Sequence, residues 1–254
     1  MGKIRTTLHF CAYFYLVFKT MVLSTFGGLT STYRTSVRIV FKQILFTGVQ
    51  ALPVISLVSL AIGAIAIIQS LTILPRFGGA SFIGSILVTV IVRELGPMLT
   101  AFIVIGRSGT AITTEIGNMM VSHEIEALES MGIDPIRYIV IPRLLGVTAS
   151  MVALNVYFAL FSIIGGFLVS KLVLVTSFSI FTDRILDTML ASDIVMSLSK
   201  GVIFGILVSL ICTFQGFLVR GSSTEVPQMT TRAVVNAITA LVLADGVITF
   251  IYYL

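Results

Sequence analysis

Residues 92–143 read VRELGPMLTAFIVIGRSGTAITTEIGNMMVSHEIEALESMGIDPIRYIVIPR. A charged pair, Arg93-Glu94, stands in the middle of the apolar segment 80–105. The chain leaves that segment through Gly106-Arg107 and enters its one long hydrophilic run. Glu115, Glu124, Glu126, Glu129 and Asp134 lie in that run, about half of the 11 acidic residues present. Apolar sequence resumes after Pro142-Arg143. A buried charge, joined by one continuous segment to an acidic helix outside the membrane, marks a membrane machine driven by something docked beside it.

Composition agrees. The 254 residues are 57% hydrophobic and 11% charged, with a mean hydropathy of +1.09. Soluble domains are about 45–50% apolar and about 25% charged. The length accommodates roughly five or six spans of about 20 residues. No period-two alternation runs through the chain, and its apolar runs are too long for barrel strands. The fold class expected is therefore an all-α integral membrane bundle of about five transmembrane helices, with an N-terminal interfacial helix and a cytoplasmic coupling helix. The net charge of +5 reports topology rather than nucleic-acid binding, because Lys and Arg collect on the cytoplasmic side. Cys11 and Cys212 are isolated in apolar surroundings and indicate neither a disulfide framework nor a metal site.

Residues 8–26 are apolar but carry Lys19, and basic residues surround them: Lys3, Arg5, Arg34, Arg38 and Lys42. With no acid before Glu94, residues 1–43 read as an interfacial helix and basic elbow facing anionic headgroups. A true first span is the rival reading. The permease domain is expected over 44–254, with spans at 44–68, 80–105, 144–170, 201–219 and 233–254. Pro53 is expected to kink the first. Residues 171–200 read as a surface helix or loop. Gly201-x-x-x-Gly205 has the spacing of a close helix contact. With the N-terminus, 106–143 and 220–232 on one side, 11 of the 16 basic residues lie there. Only Arg76, Lys171, Arg184 and Lys200 fall opposite. The first side is therefore cytoplasmic and the C-terminus periplasmic.

Arg93, Glu94 and Asp245 read as the ionisable residues at mid-membrane depth. Each costs about 2.5–3.5 kcal/mol to insert when charged, so pairing or a wet cavity is required. Asp245 is the natural counter-ion for Arg93, which leaves Glu94 facing a cavity. Pro97 cannot donate to the Arg93 carbonyl, which frees an acceptor beside the charges. A buried ion pair that only holds the bundle together would have the same pattern. The stretch 122–131 reads as a separate short helix. Ser122 is placed to cap it, Glu124 and Glu126 suit its first turn, and Gly132 suits its end. Ala127, Leu128 and Met131 share one arc, with Glu126 and Glu129 opposite. Asp134-Pro135 starts a further turn. A solvated loop helix is the plain reading, but its two faces fit a docking element better. No phosphate-binding loop, zincin motif or nucleophile elbow occurs, and His9 and His123 are each alone. No catalytic residue, metal site or cofactor is expected in this chain.

Arg93-Glu94-Leu95-Gly96-Pro97, Gly106-Arg107, Glu115-Ile116-Gly117, Glu126-Ala127-Leu128-Glu129, Asp134-Pro135-Ile136-Arg137 and Pro142-Arg143 together resemble the MlaE/YrbE family. Its members are the permease subunits of ABC transporters that move phospholipids between membranes. The resemblance implies a homodimer between cytoplasmic ABC ATPase subunits, which bind the ATP and Mg, and a periplasmic ring of MCE-domain proteins. It implies that 122–134, with Ser122, Glu124, Glu126, Leu128, Glu129, Met131 and Asp134, couples to the ATPase. It also implies a lipid pathway floored by Arg93, Glu94, Leu95 and Pro97, with Gln69, Leu74 and Phe77 near its mouth. With no plastid-type extension ahead of the core, a bacterial inner membrane is expected. The competing classes are a stand-alone secondary carrier, with Glu94 and Asp245 as proton relays, and a structural scaffold that carries no lipid.

Overall fold

A computed structural model describes residues 12–17, 19–20, 32–73, 87–174 and 178–254, and all regular structure among them is helical. Five helices are long and apolar enough to cross a bilayer: Arg38–Ser70, Val88–Val121, Ile136–Val173, Ala191–Phe217 and Glu225–Tyr253. The shortest has 27 residues, which at about 1.5 Å per residue exceeds a hydrocarbon core of about 30 Å. Every span therefore projects beyond the lipid on one side or both.

The N-terminal helix α1 (residues 12–17) packs Val17 against Val140, Leu144 and Leu210 and turns Phe14, Tyr15 and Leu16 outward. Its Tyr13 hydroxyl donates to Thr213 Oγ1 at 2.9 Å, and burial pushes that phenol well above its ordinary pKa. The first span comprises α2 (Thr32–Thr47), a 3₁₀ turn at Val49–Ala51 and α3 (Leu52–Ile73). The interruption expected of Pro53 falls in the turn before it: Pro53 has no N–H for the Val49 carbonyl, and the Leu52 amide donates there instead, in the 3₁₀ turn Val49–Ala51.

In the second span the helix does not end at Gly106-Arg107. A π-helical run (Leu87–Leu95), α4 (Gly96–Val104), a π-turn (Ile105–Gly109) and α5 (Thr110–Val121) follow one another without a loop. Pro97 has no N–H to offer the preceding turn, and the wider i→i+5 winding before it accommodates that loss. The short helix α6 (Glu124–Ser130) and a π-turn (Ile136–Val140) lead into α7 (Ile141–Leu174); α8 (Phe178–Leu186) and α9 (Ala191–Phe217) follow, and α10 (Glu225–Tyr253) closes the chain.

α9 is the axis of the bundle. It touches α4, α5, α7 and α10, and residues 208–216 are all buried. Lipid is as apolar as a leucine side chain, so close backbone approach and interhelical hydrogen bonds hold such helices together. α3 and α7 meet at glycines: a Cβ on Gly63 would stand 1.9 Å from the Ser162 carbonyl oxygen, and one on Gly165 would stand 2.3 Å from that of Leu60. The Gly201-x-x-x-Gly205 spacing serves packing too, for a Cβ on Gly205 would lie 2.7 Å from Thr148 Cα. Across α7 and α9, Asn155 Nδ2 donates to the Ser197 carbonyl and hydroxyl, both at 2.9 Å.

Candidate functional site

Among the described residues, Arg93, Glu94, Asp193, Lys200 and Asp245 form two ion groups that meet at the Arg93-Glu94 dipeptide, and their hub is a residue that the sequence reading placed in an outer loop. Lys200 is not in a loop: α9 begins at Ala191, so the lysine falls inside the fourth span and is fully buried. Its ammonium donates to Glu94 Oε2 at 2.7 Å and to Thr249 Oγ1 at 2.9 Å. It also stands 2.7 Å from Asp245 Oδ1. An ammonium has three N–H groups, and three oxygens surround it. Thr249 Oγ1 leans back on Glu94 Oε1 at 3.3 Å.

Asp245 is therefore an intramembrane charge partner of Lys200 and not of Arg93, and Glu94 does not face a cavity unpaired. Arg93 instead pairs with Asp193 at 2.5 Å. Its guanidinium also donates to the Tyr253 hydroxyl at 3.1 Å and lies 5.5 Å from the centre of the Tyr252 ring. Asp193 is fully buried and accepts the Leu190 amide at 3.0 Å, capping the first turn of α9 where a carboxylate suits the helix dipole. Adjacent positions on a helix diverge by about 100°, which is why Arg93 and Glu94 find different partners. Three carboxylates stand against two basic side chains, and Glu94 is the most open of the three, its side chain 29% exposed against 13% for Asp245.

Asp193, Lys200 and Thr249 were missed in the sequence. One signal was available: Asp193 and Lys200 are seven residues apart, two helical turns, and so share a face. Among the other pathway residues, Pro97 is buried at the start of α4 and Leu95 is half-buried just before it. Gln69 lies exposed near the end of α3. Leu74 and Phe77 lie outside the described residues.

The acidic loop forms the second part of the site. Ser122 does not cap the short helix. It ends α5, its hydroxyl donating to the Asn118 carbonyl at 3.0 Å and to Glu124 Oε1 at 2.9 Å. His123 turns the chain in a left-handed conformation, φ 58°, and α6 starts at Glu124. The end follows the sequence reading. Gly132 has φ 75°, its amide donates to Glu129, and the Ile133 amide donates to Leu128 at 3.0 Å, a Schellman closure. Asp134 Oδ1 then accepts the Ile136 amide at 2.9 Å, so the Asp-Pro turn forms as read.

The expected apolar arc is corrected. Ile125 is buried and Leu128 half-buried, while Ala127 is exposed and Met131 is 65% exposed. The outward surface thus carries Glu124, Glu126, Glu129 and Met131. Behind it, buried Arg143 reaches Glu115 Oε1 at 2.7 Å, which ties the helix entering the loop to the helix leaving it.

These features define a multi-pass helical membrane protein with a buried ion cluster and an exposed acidic loop on a shared helix. The family model described as Permease MlaE matches residues 40–251, and the chain belongs to that family. A probable ABC transporter permease protein of Rickettsia felis is 30% identical over 233 residues, 91% of this chain and 90% of the relative. The intermembrane phospholipid transport system permease protein MlaE of Haemophilus influenzae is 33% identical over 213 residues, 84% and 82%. The chloroplastic protein TRIGALACTOSYLDIACYLGLYCEROL 1 of Arabidopsis thaliana is 30% identical over 212 residues, 84% of this chain and 61% of that one.

Proposed function

We propose that the chain is the permease subunit of an ATP-driven transporter that moves phospholipids between the inner and outer membranes and maintains lipid asymmetry. One observation carries this reading: the second span runs without a loop, through one π-turn, from the ion cluster at Glu94 to Val121 at the edge of the acidic loop. The chain itself has no phosphate-binding loop, so force must enter through that loop from a separate ATPase that binds ATP and Mg. The surface of Glu124, Glu126, Glu129 and Met131 is the docking face, with Ser122 and Asp134 at its two ends and Leu128 packed beneath it.

The working unit is a homodimer in the bacterial inner membrane, N-terminus cytoplasmic and C-terminus periplasmic, capped by a periplasmic ring of MCE-domain proteins. The names of the relatives from Rickettsia felis and Haemophilus influenzae support the ABC and phospholipid parts of this reading. Arg93, Glu94, Leu95 and Pro97 floor the lipid pathway, with Gln69 toward its mouth. Closure of the ATPase pair drives the two acidic loops together, and the rigid second spans narrow the pathway and expel lipid. The double substitution Glu126→Lys and Glu129→Lys is expected to abolish co-purification with the ATPase subunit while the permease still folds. Unchanged co-purification would refute the docking role.

A further inference from the structure

Two interruptions of regular helix lie side by side, one in each of the first two spans. The first span breaks at the 3₁₀ turn Val49–Ala51, and the second widens into the π-turn Ile105–Gly109. Arg107 joins them. One of its terminal nitrogens donates to the Phe46 carbonyl at 3.1 Å and the other to Gln50 Oε1. Its guanidinium carbon also lies 5.4 Å from the centre of the Phe46 ring. Phe46 belongs to the last turn of α2, where carbonyls lack intrahelical partners. The planar fork of an arginine reaches both acceptors at once, which the single ammonium of a lysine does less well.

The other side of the π-turn is closed by packing: a Cβ on Gly109 would lie 2.9 Å from Cys212 Sγ of α9. On the side of Gly106 the space is open, with nothing within 4 Å of a Cβ. The π-turn is thus seated on the bundle axis and fastened to the first span by the Arg107 fork. It also lies between the two parts of the site. At about 1.5 Å per residue, Glu94 is roughly 20 Å along the helix on one side and the acidic loop roughly 20 Å on the other. Wide turns of this kind inside helices recur at functional positions, and packed helices shift between discrete arrangements rather than flexing continuously.

We propose that Arg107 is a positioning residue for transport: it locks the interruption in the first span to the π-turn in the second, so that these two spans, which carry the pathway residues Gln69 and Arg93, move together when the acidic loop is displaced. The proposal rests on the permease reading above. The test uses the whole complex with its ATPase partner in proteoliposomes of phosphatidylethanolamine and phosphatidylglycerol, measuring ATP hydrolysed and fluorescent phospholipid moved. Arg107→Ala is expected to keep ATPase association and the native KM for ATP while moving about three- to tenfold less lipid per ATP. Arg107→Lys should fall between this variant and the native chain. Gln50→Glu, which supplies a carboxylate acceptor for the same fork, should keep the native ratio. A native ratio in Arg107→Ala overturns the proposal and leaves the permease reading standing. A native complex that moves no lipid overturns both. If Arg107→Ala fails to assemble, Gln50→Leu decides in the same assay: a lowered lipid-to-ATP ratio supports the proposal, and a native ratio overturns it.

Discussion

The buried ion cluster and the acidic loop lie at opposite ends of one helix, and they are built on opposite principles. The loop is local. Its turns are made by neighbours in sequence, Gly132 closing α6 through the Ile133 amide and Asp134 opening the next turn through Ile136. The cluster is assembled from afar. Glu94 and Lys200 are 106 positions apart, and Arg93 and Asp193 belong to different spans. Losing one local turn element disturbs one turn, whereas losing the hub of a long-range cluster leaves its carboxylates unpaired inside the bundle.

The contrast yields a graded set of expectations. The largest effect falls on the hub. Lys200→Met leaves Glu94 and Asp245 without their shared cation, and removing one partner of a buried ion pair costs about 3–5 kcal/mol. Thermal unfolding in detergent should register the loss, and adding Glu94→Gln and Asp245→Asn should recover most of it. Next comes the tie behind the loop. Glu115→Leu leaves the buried Arg143 guanidinium without its carboxylate and is expected to cost about 1–3 kcal/mol, whereas Arg143→Met leaves behind only a carboxylate that is 60% exposed and should cost no more than about 0.5 kcal/mol. Equal losses for the two would break the distinction between buried and exposed partners.

Smaller still is Gly132→Ala. Placing a Cβ at φ 75° costs about 1 kcal/mol, and faster hydrogen exchange at the Ile133 amide would report it. The smallest effect on stability belongs to the docking face. Glu126→Lys with Glu129→Lys should shift unfolding by no more than about 0.5 kcal/mol, even as it removes ATPase binding.

The same contrast explains what the sequence disclosed. Hydropathy located the five spans, because a bilayer leaves a long apolar run few alternatives. The end of α6 was legible because glycine and aspartate act on their immediate neighbours. Its start was not: Ser122 has the chemistry of a cap, but the tight turn at His123 leaves it closing α5 instead. Lys200 was misplaced because a cation next to an apolar run looks like the end of a span. Only the cap made by Asp193, three residues after Leu190, shows that the helix has already begun. Pairing was the least legible feature, since charge type names possible partners and only packing selects among them.

Lipid-dependent ATP hydrolysis by the reconstituted complex, compared between the native chain and Glu94→Ala, tests the link between the two regions most directly. The variant is expected to assemble with its ATPase yet lose the response of hydrolysis to added phospholipid. An assembled Glu94→Ala complex with a native lipid response would contradict a pathway that begins at this cluster.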